Sequence, residues 1–256
     1  FTSGATLQVE RLARRAAELG HDVEVFSGAI AMGLADGERR TDRIDGVAVH
    51  WIGTAERIEQ GDDGNWDNPI AAAAAAAWLR EFQPDVVHVH TLQTLGVGVL
   101  EAAADAGRVV VTMHDLWWWC SRLFLVDTEL RPCPLVTDVG TCACARTASW
   151  RAARAERLGR ALHRADRILT PSAALRDVVV ANGVDPRRVT VDENDVAPGS
   201  LEDRCPDARP ISGCAVQPDL SVGGHLVDAA QQLVHVLVAN VGYRLPVQSV
   251  DIAGVQ

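Results

Sequence analysis

Short runs of branched aliphatic residues recur along this chain, separated by longer stretches of helical periodicity. Residues 7–19 set Val9, Leu12, Ala13 and Ala16 on one helical face and stop at Gly20; an apolar run over 22–26 follows. A second strand is predicted over 46–51, after an irregular stretch rich in Gly and Asp. Asn68 and Pro69 form an N-cap and first-turn pair for an Ala-rich helix ending near Phe82. From there the alternation is regular, with strands over 85–90, 108–113, 166–170 and 188–192 and helices over 92–106, 150–164 and 173–182. Strands alternating with helices predict βαβ units, and so an α/β fold with a doubly wound parallel sheet.

The interruption is 115–149, a long loop carrying Trp117, Trp118 and Trp119 and four cysteines; loops of that length are usually functional or disordered. The domain so read spans 1–196, followed by a Pro-, Asp- and Gly-containing linker over 197–210. Residues 211–256 are expected to be the incomplete start of a second α/β domain, helical over 223–239 and extended over 243–252.

Two of the predicted strands stop on histidine: His88 and His90 close the 85–90 run, and His114 follows the 108–113 run. In an open parallel sheet the carboxyl ends of the strands border the ligand crevice, so His90 and His114 are expected to face one cleft. His88 shares a strand face with His90 but lies deeper, where a hydrogen-bonded core histidine is expected.

Composition narrows the chemistry. With hydrophobic content of 48% and charged residues at 23%, the chain is that of a globular protein, and no apolar run reaches the ~20 residues of a membrane span. The net charge of −10 argues against nucleic acid as a partner. Every basic residue is Arg, so no lysine base or Schiff base is available. No secretory signal is read, and six cysteines in a chain of this size do not read as a disulfide framework.

A colinear set of short motifs carries more information than any one of them. They are Ser3-Gly4-Ala5, Gly20-His21-Asp22-Val23, His88-Val89-His90, Thr112-Met113-His114-Asp115, the segment from Ala165 to Ser172, and Gly183-Val184-Asp185-Pro186 running on to Val189. In this order they resemble the N-terminal half of a two-domain glycosyltransferase of the GT-B fold, in the large retaining family 4. The resemblance covers roughly residues 1–196 and implies transfer of a sugar from a nucleotide diphosphate sugar to a carbohydrate or lipid-linked acceptor, with no cofactor required for the chemistry. It implies that His114 lies near the transferred sugar as the catalytic residue. His90 and Asp115 would contact substrate, with Gly4 offering backbone N–H groups to a phosphate at a helix N-terminus. A cytoplasmic location follows, with contact at the inner face of the membrane as an option.

The chain also departs from that pattern. It opens at the Gly-rich turn, where the family has a preceding strand, and reads Asn194-Asp195-Val196 where Asn-Gly-Val is expected. Val222 stands where a basic residue would meet the donor diphosphate, and no Glu follows Glu202, so the donor-sugar carboxylate motif is absent from this sequence. Two other readings therefore stand beside the transferase. One is a non-catalytic, truncated binding module; the other is a metal-dependent hydrolase using His88, His90, His114 and Asp115, ranked lower because no later strand ends in His.

Three further features carry expectations. Cys120, Cys133, Cys142 and Cys144 could hold a structural zinc, but their spacing is not a repeated CxxC and reduced thiols are preferred, the four meeting only if a metal is bound. Three consecutive tryptophans exceed what an extended core segment would bury, so at least one is expected to line an acceptor groove or meet lipid; packing beneath the loop is the alternative. Ser172 is a candidate substrate contact, with helix N-capping its expected role.

Overall fold

A computed structural model describes residues 4–56, 66–138, 142, 144 and 147–193, together with the backbone of 239–244. The chain begins in helix α1 (Gly4–Glu18), whose turn at Gly20 (φ 88°) feeds strand β1 (Asp22–Ala29). Strands β2 (Arg39–Ile44) and β3 (Val47–Gly53) form a hairpin across Asp45 and Gly46, both at positive φ, which is the backbone that two-residue hairpin turns require.

Helix α2 (Pro69–Phe82) starts where expected: the Asn68 side chain accepts from the Ala71 N–H at 3.0 Å, and Pro69 occupies the first turn. The chain continues through β4 (Val86–Val89), α3 (Gly98–Ala106), β5 (Arg108–Thr112), α4 (Ala148–Leu162), β6 (Arg167–Thr170), α5 (Ala173–Ala181) and β7 (Val189–Val191). Strand β8 (Ala239–Arg244) is the last described element.

Among the described residues the strands make one eight-stranded sheet in the order β2-β3-β1-β8-β4-β5-β6-β7. β1 with β3, and β4 through β7, run parallel. Two strands depart from the expected all-parallel sheet, β2 at the edge and β8 between β1 and β4, both antiparallel to their neighbours. β8 lies in the stretch read as the start of a second domain; its backbone instead hydrogen-bonds into this sheet. The helix read over 223–239 lies outside the described residues except for Ala239, which opens β8.

One sheet face buries Val23, Val25, Val47, Val49 and Trp51 against Val9 and Ala13 of α1. The opposite face carries Phe26, Val87, Val89, Val109, Val111 and Ile168 into a larger core with Ala71, Ala75, Trp78 and Leu79 of α2 and Leu100 and Ala103 of α3. Strand alternation produces the division, since successive side chains point to opposite faces. Small residues let α2 and α3 approach closely: a Cβ on Gly98 would stand 2.7 Å from the methyl of Ala72.

The β4–α3 connection differs from expectation. The helix predicted from residue 92 begins at Gly98, because Thr94 (φ 64°) and Gly96 (φ 76°) take left-handed backbone and interrupt it. The intervening polar residues thereby stay at the carboxyl edge of the sheet.

Candidate functional site

Parallel β4 and β5 set their last residues side by side, with Val89 opposite Val111 in register. The chain leaves both strands at the carboxyl edge, and the side chains that follow converge: His90 Nδ1 lies 2.9 Å from His114 Nε2. The two rings stack at 5.2 Å between centroids with 20° between planes, and His88 lies 4.2 Å from His90. His88 is buried and its Nε2 is 2.7 Å from Thr112 Oγ1, as expected of a hydrogen-bonded core histidine.

Register also fixes which face of the sheet carries the site. Val241 of β8 pairs with Val25 on one side and His88 on the other, so His88 shares the face on which Val25 meets α1. α1 delivers the chain to the start of β1, and its N-terminus at Gly4 accordingly points toward the carboxyl edge. Gly4 opens that helix exposed, with nothing within 4 Å of the position a Cβ would take.

Burial sets the charge state of the cleft. It holds the His88 pKa down to about 4, helped by His114, and that of His114 to about 4. The buried His90 is pushed well below the ordinary histidine range by desolvation, with His88 and His114 adding to it. All three rings are therefore neutral near pH 7. Asp115 moves the other way: burial raises it to about 6, against the Trp117 N–H and the Arg154 guanidinium, which favour its charged form. Its Oδ1 accepts from Trp117 N at 2.9 Å and its Oδ2 from Gln93 Nε2 at 3.4 Å.

The residues that sequence reasoning missed are Thr91, Gln93 and Arg154. Thr91 Oγ1, Gln93 Oε1 and His90 Nε2 are buried without a hydrogen-bond partner among the described residues. Together with His114 and Asp115 they line one small cleft closed by Trp117 and Trp118. The signal was available in Thr91-Leu92-Gln93-Thr94, polar residues interleaved with an apolar one directly after a strand end. Arg154, on α4, donates to the Trp117 carbonyl and stands 5.2 Å over that tryptophan's ring, so it ties the start of the long loop to a helix.

Trp117 and Trp118 are buried beneath the loop, the alternative read for this run, while both also line the strand-end cleft. The segment is a turn, with Trp119 N and Cys120 N both donating to Leu116 O, so its side chains do not alternate between faces as they would in an extended strand. The rings of Trp117 and Trp118 meet edge to face at 5.4 Å, and Trp119 packs partly buried against the same core.

The four loop cysteines are free and line one cavity of about 270 Å³. The Cys144 thiol hydrogen-bonds to Cys133, and among the described residues no three His, Cys, Asp or Glu side chains form a group that could hold a metal ion. Burial pushes the Cys133 thiol up, as do its neighbours Cys120, Asp127 and Cys142.

Ser172 lies apart from these features as an N-cap: its exposed hydroxyl accepts from Leu175 N at 3.2 Å at the start of α5. A cavity of about 510 Å³ lies elsewhere, on β1, β2, β3 and α2. There Glu24 Oε2 accepts from Trp78 Nε1 at 2.8 Å and lies 3.0 Å from His50 Nε2. Glu24, Trp78 and His50 satisfy one another there, while Trp51 Nε1 in the same lining is buried without a partner among the described residues.

The sequence model described as Glycosyltransferase Family 4 matches residues 2–194, a span that holds α1 through β7 and every residue of the strand-end cleft. No curated protein matches the chain.

Proposed function

The chain belongs to Glycosyltransferase Family 4, and on that premise we propose that it serves transfer of a sugar from a nucleotide diphosphate sugar to a carbohydrate or lipid-linked acceptor, with retention at the anomeric carbon. The strand-end cleft is the acceptor-side half of the reaction centre. The observation that carries this reading is the trio of buried, unpartnered polar atoms, His90 Nε2, Thr91 Oγ1 and Gln93 Oε1. Each such atom costs about 1–3 kcal/mol while unpaired. Sugar hydroxyls donate and accept, and a site built to bond them rejects analogues that lack them.

His114 is the catalytic residue of this reading. If His90 Nδ1–H donates across the 2.9 Å contact, His114 Nε2 is an acceptor and its proton resides on Nδ1. A neutral imidazole N–H then stabilises negative charge developing on the departing diphosphate or the transferred sugar, with no proton to lose beforehand. His90 is a positioning residue: it fixes the tautomer of His114. Asp115 holds the loop start through Trp117 N and reaches Gln93. Gly4, at the N-terminus of α1, offers backbone donors to a phosphate.

The same contact weakens the hydrolase reading, because the imidazole nitrogens of His90 and His114 are directed at each other instead of at a common point.

The test is made on a chain extended by a donor-binding half of the same family. His114→Ala should lower kcat by about 10²–10³-fold while acceptor KM stays within a few-fold. His90→Phe, which removes the tautomer partner, should lower kcat by a smaller factor, and NMR of the product should show the donor's anomeric configuration. Unchanged kcat in His114→Ala, or an inverted product, would overturn the reading.

A further inference from the structure

The strand-end cleft is narrower in what it accepts than sugar transfer alone requires. Its free space is about 10 Å³, room for one group of about the size of a water molecule. His90, Thr91 and Gln93 line that space, all three are buried, and each carries a polar atom without a partner among the described residues. The polarity of those atoms decides what fits.

Two of the three only accept. Gln93 Nε2 donates to Asp115 Oδ2 at 3.4 Å, which leaves Oε1, with lone pairs and no hydrogen, as the free end of the amide. With His90 Nδ1–H donating to His114 Nε2, as in the sugar-transfer reading, His90 Nε2 likewise carries a lone pair alone. Thr91 Oγ1 accepts or donates. Asp115 lines the same space, and its carboxylate is ionised near pH 7 although burial raises its pKa to about 6. No residue of the lining supplies a positive charge at that pH: His90 and His114 are neutral. Arg154, outside the lining, is engaged with the Trp117 carbonyl and ring.

The group that fills such a space is small and brings several hydrogens. A hydroxyl supplies one hydrogen to two or more acceptors. A primary ammonium is of similar size, supplies three, and carries the charge that complements Asp115. We propose that the strand-end cleft holds a primary ammonium of the acceptor, so that the acceptor is an amino sugar. The assignment rests on the sugar-transfer reading for the tautomer of His90 and for a carbohydrate acceptor. Gln93 is then the specificity-determining residue, and Asp115 both orients its amide and offsets the ammonium charge. An acetamido group in the same place is too large for the space and keeps one hydrogen on nitrogen, so the N-acetylated sugar is rejected. His114 Nδ1–H keeps the donor role it has in the transfer.

The 256-residue chain decides this without any donor sugar. Its affinities for a panel of amino derivatives of methyl glucoside, for methyl glucoside itself and for the matching acetamides are measured by NMR titration at pH 7. At least one amine should bind about tenfold or more tightly than both methyl glucoside and its own acetamide. Gln93→Leu and Asp115→Asn should each remove that preference. Glu129→Gln, which alters an exposed carboxylate of the long loop, should keep it, and so separate the cleft from attraction by the net charge of −10. Because a cleft variant can fail to fold, the wild-type chain supplies a second readout: in a proton–nitrogen correlation spectrum, His90 Nε2 should resonate as a lone-pair nitrogen and move upfield with the amine but not with the acetamide. The proposal is overturned if no amine is preferred, if the preference survives in both folded cleft variants, or if His90 Nε2 is unmoved because water alone fills the space. Equal binding of amine and methyl glucoside that still depends on Gln93 would overturn the amine assignment alone and leave the sugar-transfer reading in place.

Discussion

His88, His90 and His114 are neutral in the folded chain because they are buried beside one another, and that makes the cleft acid-sensitive. Each ring takes a proton more readily once the chain unfolds, so its contribution to stability is present above the unfolded value near 6.5 and is lost as pH falls toward the folded value, about 4 for His88 and His114. Asp115 opposes them. Its folded pKa is raised to about 6, so its contribution is present below the unfolded value of 3.8 and lost as pH rises through 6. Three groups outweigh one, and the melting temperature should fall between pH 7 and pH 4.5, on the order of 5–10 °C. Asp115→Asn removes the opposing group, so its melting temperature should fall more steeply over the same range. A melting temperature that is flat or rises on acidification would show that the histidines are not held neutral. The same lowered values predict that, in an active extended enzyme, kcat is not governed by His114 titration between pH 6 and 8.

Gly96 joins two elements that the cleft depends on. Its φ of 76° ends the stretch that carries Thr91 and Gln93, and a Cβ there would meet Asn68 N at 2.5 Å and Trp66 O at 3.1 Å. Asn68 caps α2 and also donates from Nδ2 to Thr94 O at 2.8 Å, so cap and turn support each other. Gly96→Ala should cost at least about 2 kcal/mol in denaturant unfolding, while Gly4→Ala, with open space around it, should change stability by less than about 0.5 kcal/mol. Much of this architecture was legible: β1, α2, β5, α4 and α5 lie within a few residues of their predicted positions because aliphatic runs, Asn68-Pro69 and Ser172 state them locally. β2 was not legible from alternation, since Arg39–Ile44 is an almost wholly exposed edge with no apolar face. Its signal was Asp45-Gly46, a two-residue hairpin turn before a strand already predicted. The same limit applied at the site. The His-ended strands could be read because they repeat, whereas the burial of Thr91, Gln93 and Arg154 depends on the turn at Gly96 and on α4 packing over Trp117, which are tertiary facts.

At the centre of the molecule, β1 and β4 meet only through β8 among the described strands. The amides of Ala239–Arg244 should accordingly exchange with solvent as slowly as those of β4 and β5; exchange at the rate of a free segment would show that the strand is not seated there. The histidine cleft does not require the rest of the C-terminal stretch, because His90, His114 and Asp115 are placed by β4, β5 and the turns that follow them. The proposed donor chemistry would. A nucleotide diphosphate sugar needs its phosphate charge offset and its sugar hydroxyls fixed before a reaction centre can act on it. In this sequence Val222 stands where the resemblance calls for a basic residue, and no Glu after Glu202 can clamp the sugar. Binding and turnover should therefore separate: the 256-residue polypeptide should bind a glycoside acceptor, with His114→Ala and Gln93→Ala weakening it, yet release no nucleoside diphosphate above the uncatalysed background from a panel of donor sugars. Line broadening of acceptor resonances by NMR and a coupled assay for nucleoside diphosphate measure the two. Sustained turnover with any donor would mean that the donor contacts come from residues within the sheet domain itself, and that the carboxylate clamp is not where catalysis is controlled.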